Sequence, residues 1–393
     1  MIEQNAEREH PVTPLELFFD LVFVFGFTQV TTVLSNNPTW SGLGHGLLIL
    51  ATLWWAWAAY AWLTNTVDPG VGVVWGAVLV AMAAMFVAAL AVPDAFGSHG
   101  VVFGVAFLIV TVMQLMLYAL AARGDRDLLT AILRVAPSFL TGAALIIAAG
   151  FVDGGGKAML WLAAIVIGFF GPLVGGVSGW RVESAHFVER HGLIVIIAIG
   201  ESLIAIGLGS RGTGLGTGVI VTAVLGFVVA TSFWLAYFDF FSIRGQQILA
   251  DRTGTQRIAL ARDVYTYLHL PMVAGIVLFA FAMKTTLGNF GEELDTISAL
   301  GLCGGPALYL FAYVGLRLRV TRTLGRGRFV AAVVCAALTP VAIAVPALVS
   351  LTLVAAVWVA LHAYEFIWWR EARAQTRALR LPAASPPETV GPA

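Results

Sequence analysis

The sequence predicts an all-α polytopic membrane protein of about 12 transmembrane helices, arranged as two six-helix repeats in parallel orientation. Three observations lead there. The first is composition. Of 393 residues, 59% are hydrophobic and 11% are charged, whereas an average soluble domain carries about 25% charged residues. With a mean hydropathy of +0.90, a soluble chain of this length could not hide its apolar surface.

The second observation is the length of the apolar runs. A helix needs about 20 mostly apolar residues to cross a bilayer. Runs that long fall at roughly 15–35, 45–64, 71–92, 100–122, 128–150, 157–177, 191–210, 216–240, 264–285, 297–316, 328–345 and 347–369. Pro340 and Pro346 interrupt the last two, so ten or eleven spans are the alternatives. The first run carries Glu16 and Asp20 and no small-residue cleavage site, which marks a retained helix and not a signal peptide.

The third is the distribution of positive charge. With those spans, Arg8, Arg123, Arg126, Arg181, Arg190, Arg244, Arg252, Arg257 and Arg262 fall on one side. Arg317, Arg319, Arg322, Arg326, Arg328 and the tail arginines 370, 373, 377 and 380 join them. Lys157, Arg211 and Lys284 fall on the other side, and Arg134 lies inside the fifth helix. The excess marks the cytoplasmic face. It requires an even number of helices, both termini in the cytoplasm and, for a bacterial chain, the inner membrane.

The chain also reads as duplicated. Glu16 and Glu189 open the first and seventh helices, and at the same spacing Thr28 and Gln29 fall on Glu201 and Ser202. LWWAWAAYAW (53–62) resembles SFWLAYFDFF (232–241), aromatic for aromatic. Six helices per half is an even number, so the halves share an orientation, about an axis along the membrane normal. The expected organisation is a cytoplasmic tail over 1–14, halves over 15–178 and 179–370, and a Pro-rich disordered tail over 371–393.

Polar groups inside such helices are the candidate functional residues, because an ionisable side chain in hydrocarbon is costly and faces the bundle interior. Glu201 sits in IVIIAIGESLIAIGLG, ten residues past His191. That is roughly 15 Å along the helix, near the bilayer midplane. It is either protonated or paired with a cation; Arg134, a permeating ion and a proton are the choices. With Ser202 it forms the expected midplane ion, proton or solute site. Ala198, Ala205, Gly200 and Gly207 allow a neighbouring helix to approach closely.

Glu16 and Asp20 lie four apart, on one face of the first helix. Two like charges at that spacing need a cation, an arginine or a shared proton. With Asp239, Asp263 and Arg134 they form the expected cytoplasmic entrance or gate. Glu365 belongs at the same level, where interfacial ion pairing is the competing explanation. His191 and His269 are the candidates for a proton relay. Pro271 is expected to kink its helix.

Other chemistries find no support. The H-x-x-E pair His362 and Glu365 lacks further ligands, so no metal is expected, and Cys303 and Cys335 lie alone in apolar runs. The sequence has no H-E-x-x-H, G-x-S-x-G or P-loop motif. No catalytic residue or cofactor is therefore assigned. A net charge of zero argues against a nucleic-acid partner. The expected partners are the lipid bilayer and a small solute or cation; oligomeric state is left open.

Three segments together resemble the bacterial low temperature requirement A (LtrA) family. They are VTPLELFFDLVFVFGFTQV (12–30), HFVERHGLIVIIAIGESLIAIG (186–207) and RDVYTYLHLPMVAGIV (262–277). The resemblance covers about 20–370. It implies a multi-pass membrane protein and supplies no mechanism, and it singles out Glu16, Asp20, Glu189, His191, Glu201 and Asp263. More faintly, FFDLVFVFGFT looks like the signature helix of lysosomal-type potassium channels, with Phe19 where that signature has Ser and Arg190-His191-Gly192 at the matching place in the second half.

Two functions follow as expectations. One is a transporter or channel with Glu201 at the midplane, for which polar groups from both halves should meet Glu201. The other is a non-transporting lipid-handling or assembly protein, for which a cytoplasmic-level pocket should open to lipid.

Overall fold

The computed structural model describes residues 12–67, 72–211, 214–239 and 241–368. Most of the N-terminal tail and the whole C-terminal tail lie outside them. The described chain is helical and contains no β-strand, only an isolated bridge between Glu293 and Pro346.

The first six long helices are α1 (Pro14–Asn36), α2 (Trp40–Thr64), α3 (Gly72–Ala91), α4 (Gly100–Ala121), α5 (Arg126–Ala149) and α6 (Gly155–Gly175). Then follow α7 (Ser184–Gly209) and α8 (Thr217–Phe238), and two short helices, α9 (Phe241–Ala250) and α10 (Gly254–Ala261). A π-helical stretch, Arg262–Leu268, leads into α11 (His269–Gly288). The chain ends with α12 (Thr296–Ala299), α13 (Gly305–Thr321), α14 (Arg326–Ala337), α15 (Thr339–Ala342) and α16 (Ala347–Trp368).

Among the described residues, eleven helical segments are long and apolar enough to cross a membrane. This is an all-α polytopic membrane protein. The eleventh of the expected runs, 328–345, forms the short helices α14 and α15, which break at Leu338. The reason is Pro340, which has no N–H to donate into a continued helix.

Local chemistry sets the helix ends. Thr13 and Glu16 form a capping box at the start of α1. Thr39 caps α2, and Asp125 caps α5 while pairing with Arg181 at 2.7 Å. Pro271 leaves α11 helical. The π stretch before it absorbs the misfit, with His269 Nδ1 2.8 Å from the Val264 carbonyl, five residues back.

α1 packs against α2, α3, α7 and α11, and α7 packs against α8 and α11. α1 and α7 run parallel and in register: Asp20 meets Arg190 near their starts, and Thr28 meets Glu201 further along. α11 and α13 meet backbone to backbone. A Cβ on Gly275 would sit 2.5 Å from the Gly305 carbonyl oxygen, and one on Gly305 would sit 2.7 Å from that of Gly275. The expectation for Gly200 and Gly207 is corrected, since a Cβ on either would meet nothing within 4 Å. Ala198 and Ala205 face the bundle instead, buried on the side of Glu201.

Candidate functional site

The seam between α1 and α7 carries two polar stations. At the first, Arg190 is completely buried and forks between two carboxylates. Its Nη1 donates to Glu16 Oε1 at 2.6 Å and its Nη2 to Asp20 Oδ1 at 2.8 Å. Nη1 also donates to Thr64 Oγ1 at 3.0 Å, and Trp57 Nε1 donates to Asp20 Oδ1 at 2.9 Å. Glu16 thus serves twice, as the capping residue of α1 and as an arginine partner.

His186 completes this station, with Nε2 3.2 Å from Glu16 Oε2. Asn65 fixes its tautomer. The Asn65 carbonyl oxygen accepts from the Glu183 backbone N–H at 2.7 Å, which leaves the amide nitrogen to donate to His186 Nδ1 at 3.2 Å. Nε2 then carries the proton and donates to Glu16. At this station one guanidinium faces two carboxylates. Among the described residues, Asp20 Oδ2 and Arg190 Nε find no hydrogen-bond partner. The open oxygen is where a proton would balance the charge.

The next residue, His191, is also fully buried. Its Nδ1 bonds the Phe187 carbonyl at 2.8 Å, and its Nε2 has no hydrogen-bond partner among the described residues. Its ring meets Trp57, Tyr265 and His269 at centroid distances of 4.9, 5.0 and 5.5 Å. His269 Nδ1 is committed to Val264 O, so its Nε2 accepts from the Tyr237 hydroxyl at 3.0 Å. The two histidines named from the sequence therefore sit edge to face.

At the second station Glu201 is fully buried. Thr28 Oγ1 donates to Oε2 at 2.5 Å and Thr31 Oγ1 to Oε1 at 2.7 Å. Both threonines belong to α1. The nearest cation that the hydrogen bonds place by these threonines is Lys284 on α11, whose Nζ is 3.4 Å from Thr32 Oγ1. Arg134, the partner weighed from sequence, lies exposed on α5, because its position in that helix faces outward. Ser202 is buried with its hydroxyl unbonded and is not a contact of the Glu201 carboxylate. At the helical rise, Glu201 and Thr28 each lie about 12 Å from the far ends of α7 and α1. Between the stations lie roughly 12 Å of apolar seam, where Phe23, Phe27, Ile194 and Ala198 are all fully buried.

The remaining acidic residues separate. Asp263 is held by Arg262 and Arg319, each at 2.9 Å. Glu365 is held by Arg328 at 2.6 Å, and Arg328 stacks over Tyr313. Asp239 is the C-terminal cap of α8. The expected entrance of Glu16, Asp20, Asp239, Asp263 and Arg134 is thus not one cluster. Glu189 is exposed, and its neighbour Arg190 turns inward. Arg190 and Arg328, counted on the positive side from sequence, lie within helices, where the buried Glu16 and Asp20 pair the first and the half-buried Glu365 pairs the second. No group of three potential metal ligands occurs among the described residues.

The fold and seam define a polytopic membrane protein with an ion-paired polar interior. The model of the bacterial low temperature requirement A protein family matches residues 11–363. The chain belongs to that family. It is also 30% identical over 336 residues to an uncharacterized protein of Rhizobium meliloti (strain 1021), covering 82% of this chain and 80% of that protein. No solved structure matches it.

Proposed function

We propose that this protein is a transporter or channel for a small cation, with the α1/α7 seam as its path and Glu201 as its inner site. The observation that carries the reading is the Glu201 carboxylate, buried far from both helix ends and held by Thr28 and Thr31 of the other half. A buried carboxylate is costly, and an apolar side chain would serve packing alone as well or better. The apolar collar of Phe23, Phe27, Ile194 and Ala198 closes the path between the stations, so movement of a solute needs that collar to open.

The proton fits the seam best among cations. A metal ion would have to carry its ligands through the buried collar of Phe23, Phe27, Ile194 and Ala198, while a proton passes by exchange between groups. Asp20 Oδ2, His191 Nε2 and the His269–Tyr237 pair supply the acid–base groups for such exchange. On this reading α14 and α15 together make a twelfth crossing beside the eleven long segments, which gives an inner-membrane protein with both termini cytoplasmic and two six-helix repeats as its halves. The parallel register of α1 and α7 supports that duplication.

The test is flux in proteoliposomes loaded with ion-sensitive dyes, for wild type and Glu201→Gln, under proton, potassium and sodium gradients in turn. The proposal expects a flux that the substitution abolishes while the thermal transition is retained. Absence of flux from well-folded wild type, or flux indifferent to Glu201→Gln, refutes it. A second reading, a non-transporting lipid-handling protein, is favoured by one observation: an aromatic cleft between α2, α4, α5 and α6. The acidic residues do not gather around that cleft.

A further inference from the structure

The aromatic cleft has a polar end and an apolar end. Its outer part is walled by Trp55, Trp62, Tyr118, Phe139, Trp180 and Tyr267. On the other side of Trp55, Ala59, Gln114 and Phe139, which line both, an adjoining inner part reaches Ile146 and Gly168. Along α5, Val135 to Ile146 is roughly 16 Å at the helical rise. The polar groups of the inner part are already satisfied: Thr111 bonds the Phe107 carbonyl, Ser138 that of Val135 and Gln114 that of Ala59.

The outer end differs. Tyr118 is 2% exposed, packs edge-on to Trp180 at 5.3 Å, and its hydroxyl has no partner among the described residues. Burying a hydroxyl without a partner costs free energy, so a ligand atom that accepts from it would stabilise the cleft. Arg262 lies at the same mouth. Beyond Val177, which lines both spaces, a second, open pocket is bordered by Arg252, Arg319 and Arg322 and by no carboxylate among its lining residues. Asp263 is shared by Arg262 and Arg319, so the surroundings stay net positive.

We infer that this is a binding site for one anionic phospholipid of the surrounding bilayer. An acyl chain occupies the aromatic cleft, a glycerol ester oxygen accepts from Tyr118, and the phosphate lies among the arginines. A chain alone would have no use for the basic end, and a soluble anion would have no use for the apolar one. Basic pockets between transmembrane helices hold anionic headgroups in this way. The inference does not rest on transport, and it holds for either reading of the function.

Native mass spectrometry of the full chain in detergent tests it, with phosphatidylglycerol and phosphatidylcholine of matched chains as probes. One phosphatidylglycerol should bind in preference. Arg252→Gln and Arg322→Gln, both on exposed positions, should each weaken it roughly fivefold and leave phosphatidylcholine unchanged. Tyr118→Phe should weaken both lipids alike. A photoreactive group on the phosphatidylglycerol chain should label the peptides holding Gln114, Tyr118, Val135 and Phe139. Equal affinity for the two lipids, indifference to both arginine substitutions, label spread over other helices, or preferential capture of an isoprenoid quinone would each overturn the assignment.

Discussion

Thr28 Oγ1 lies 2.5 Å from Glu201 Oε2 across 173 residues of sequence, and Thr31 holds the other oxygen of the same carboxylate. The pair ties the first long helix to the seventh at depth, on a carboxylate that is fully buried. A double-mutant cycle should expose it. Thr28→Val with Thr31→Val should destabilise wild type by about 1–2 kcal/mol more than it destabilises Glu201→Leu, as partners in one network couple. Thermal unfolding in detergent measures the difference, and additive effects would mean that the contact contributes nothing.

Arg190 is the counterweight of two buried carboxylates. Arg190→Gln leaves Glu16 and Asp20 buried without their cation, a loss on the order of 3–5 kcal/mol. Yield of monodisperse protein should collapse, and the triple change Arg190→Gln, Glu16→Gln, Asp20→Asn should recover much of it. Arg190→Lys should not rescue, because an ammonium cannot reproduce the fork that reaches Glu16 and Asp20 from two nitrogens. Size-exclusion profiles of the four proteins decide the matter.

The glycines separate into two kinds. Gly275→Ala would drive a methyl group into the Gly305 backbone, where nothing flexible can yield. It should lower the thermal transition markedly, with a cost of about 1–3 kcal/mol for overpacking. Gly200→Ala and Gly207→Ala enter open space in α7 and should be neutral or stabilising by up to about 1 kcal/mol. Ranking the three by thermal shift is a direct check, and a destabilised Gly200→Ala would show a partner on that face.

The contrast shows what the sequence carries. Apolar length and arginine bias give a polytopic helical protein, because each span is a local property of about 20 residues. Glu201, Glu16 and Asp20 stand out for the same reason: a charge in an apolar run is visible without a fold. Their partners are not visible. Thr28 and Thr31 look like ordinary helix residues until α7 lies beside α1, and Lys284 looks like a loop charge until α11 packs there. Arg190 sits one residue before the apolar run, so a span read from hydropathy leaves it outside. Its intervals of 174 from Glu16 and 170 from Asp20 carry meaning only once the two helices are known to run parallel. The break at Pro340 was legible as a proline; that it would shorten the eleventh run depended on packing.

The last relationship concerns proton exchange. His269 Nδ1 is held by the Val264 carbonyl, which commits Nε2 to accept from Tyr237, and the His191 ring stands 5.5 Å away. If these groups pass protons, Tyr237→Phe removes a donor from the chain while keeping the ring that packs beside Phe238. Proton flux in proteoliposomes should fall at least about tenfold, the lower part of what a positioned acid–base group contributes. The thermal transition should shift by no more than the loss of one hydrogen bond, about 1 kcal/mol. A structural role alone predicts the reverse pattern, with the transition lowered and flux per folded molecule unchanged. His191→Gln should behave as Tyr237→Phe does if His191 Nε2, open in this structure, receives the proton. Unchanged flux in His191→Gln with a lost flux in Tyr237→Phe would place the relay on His269 and leave His191 to packing against Trp57 and Tyr265.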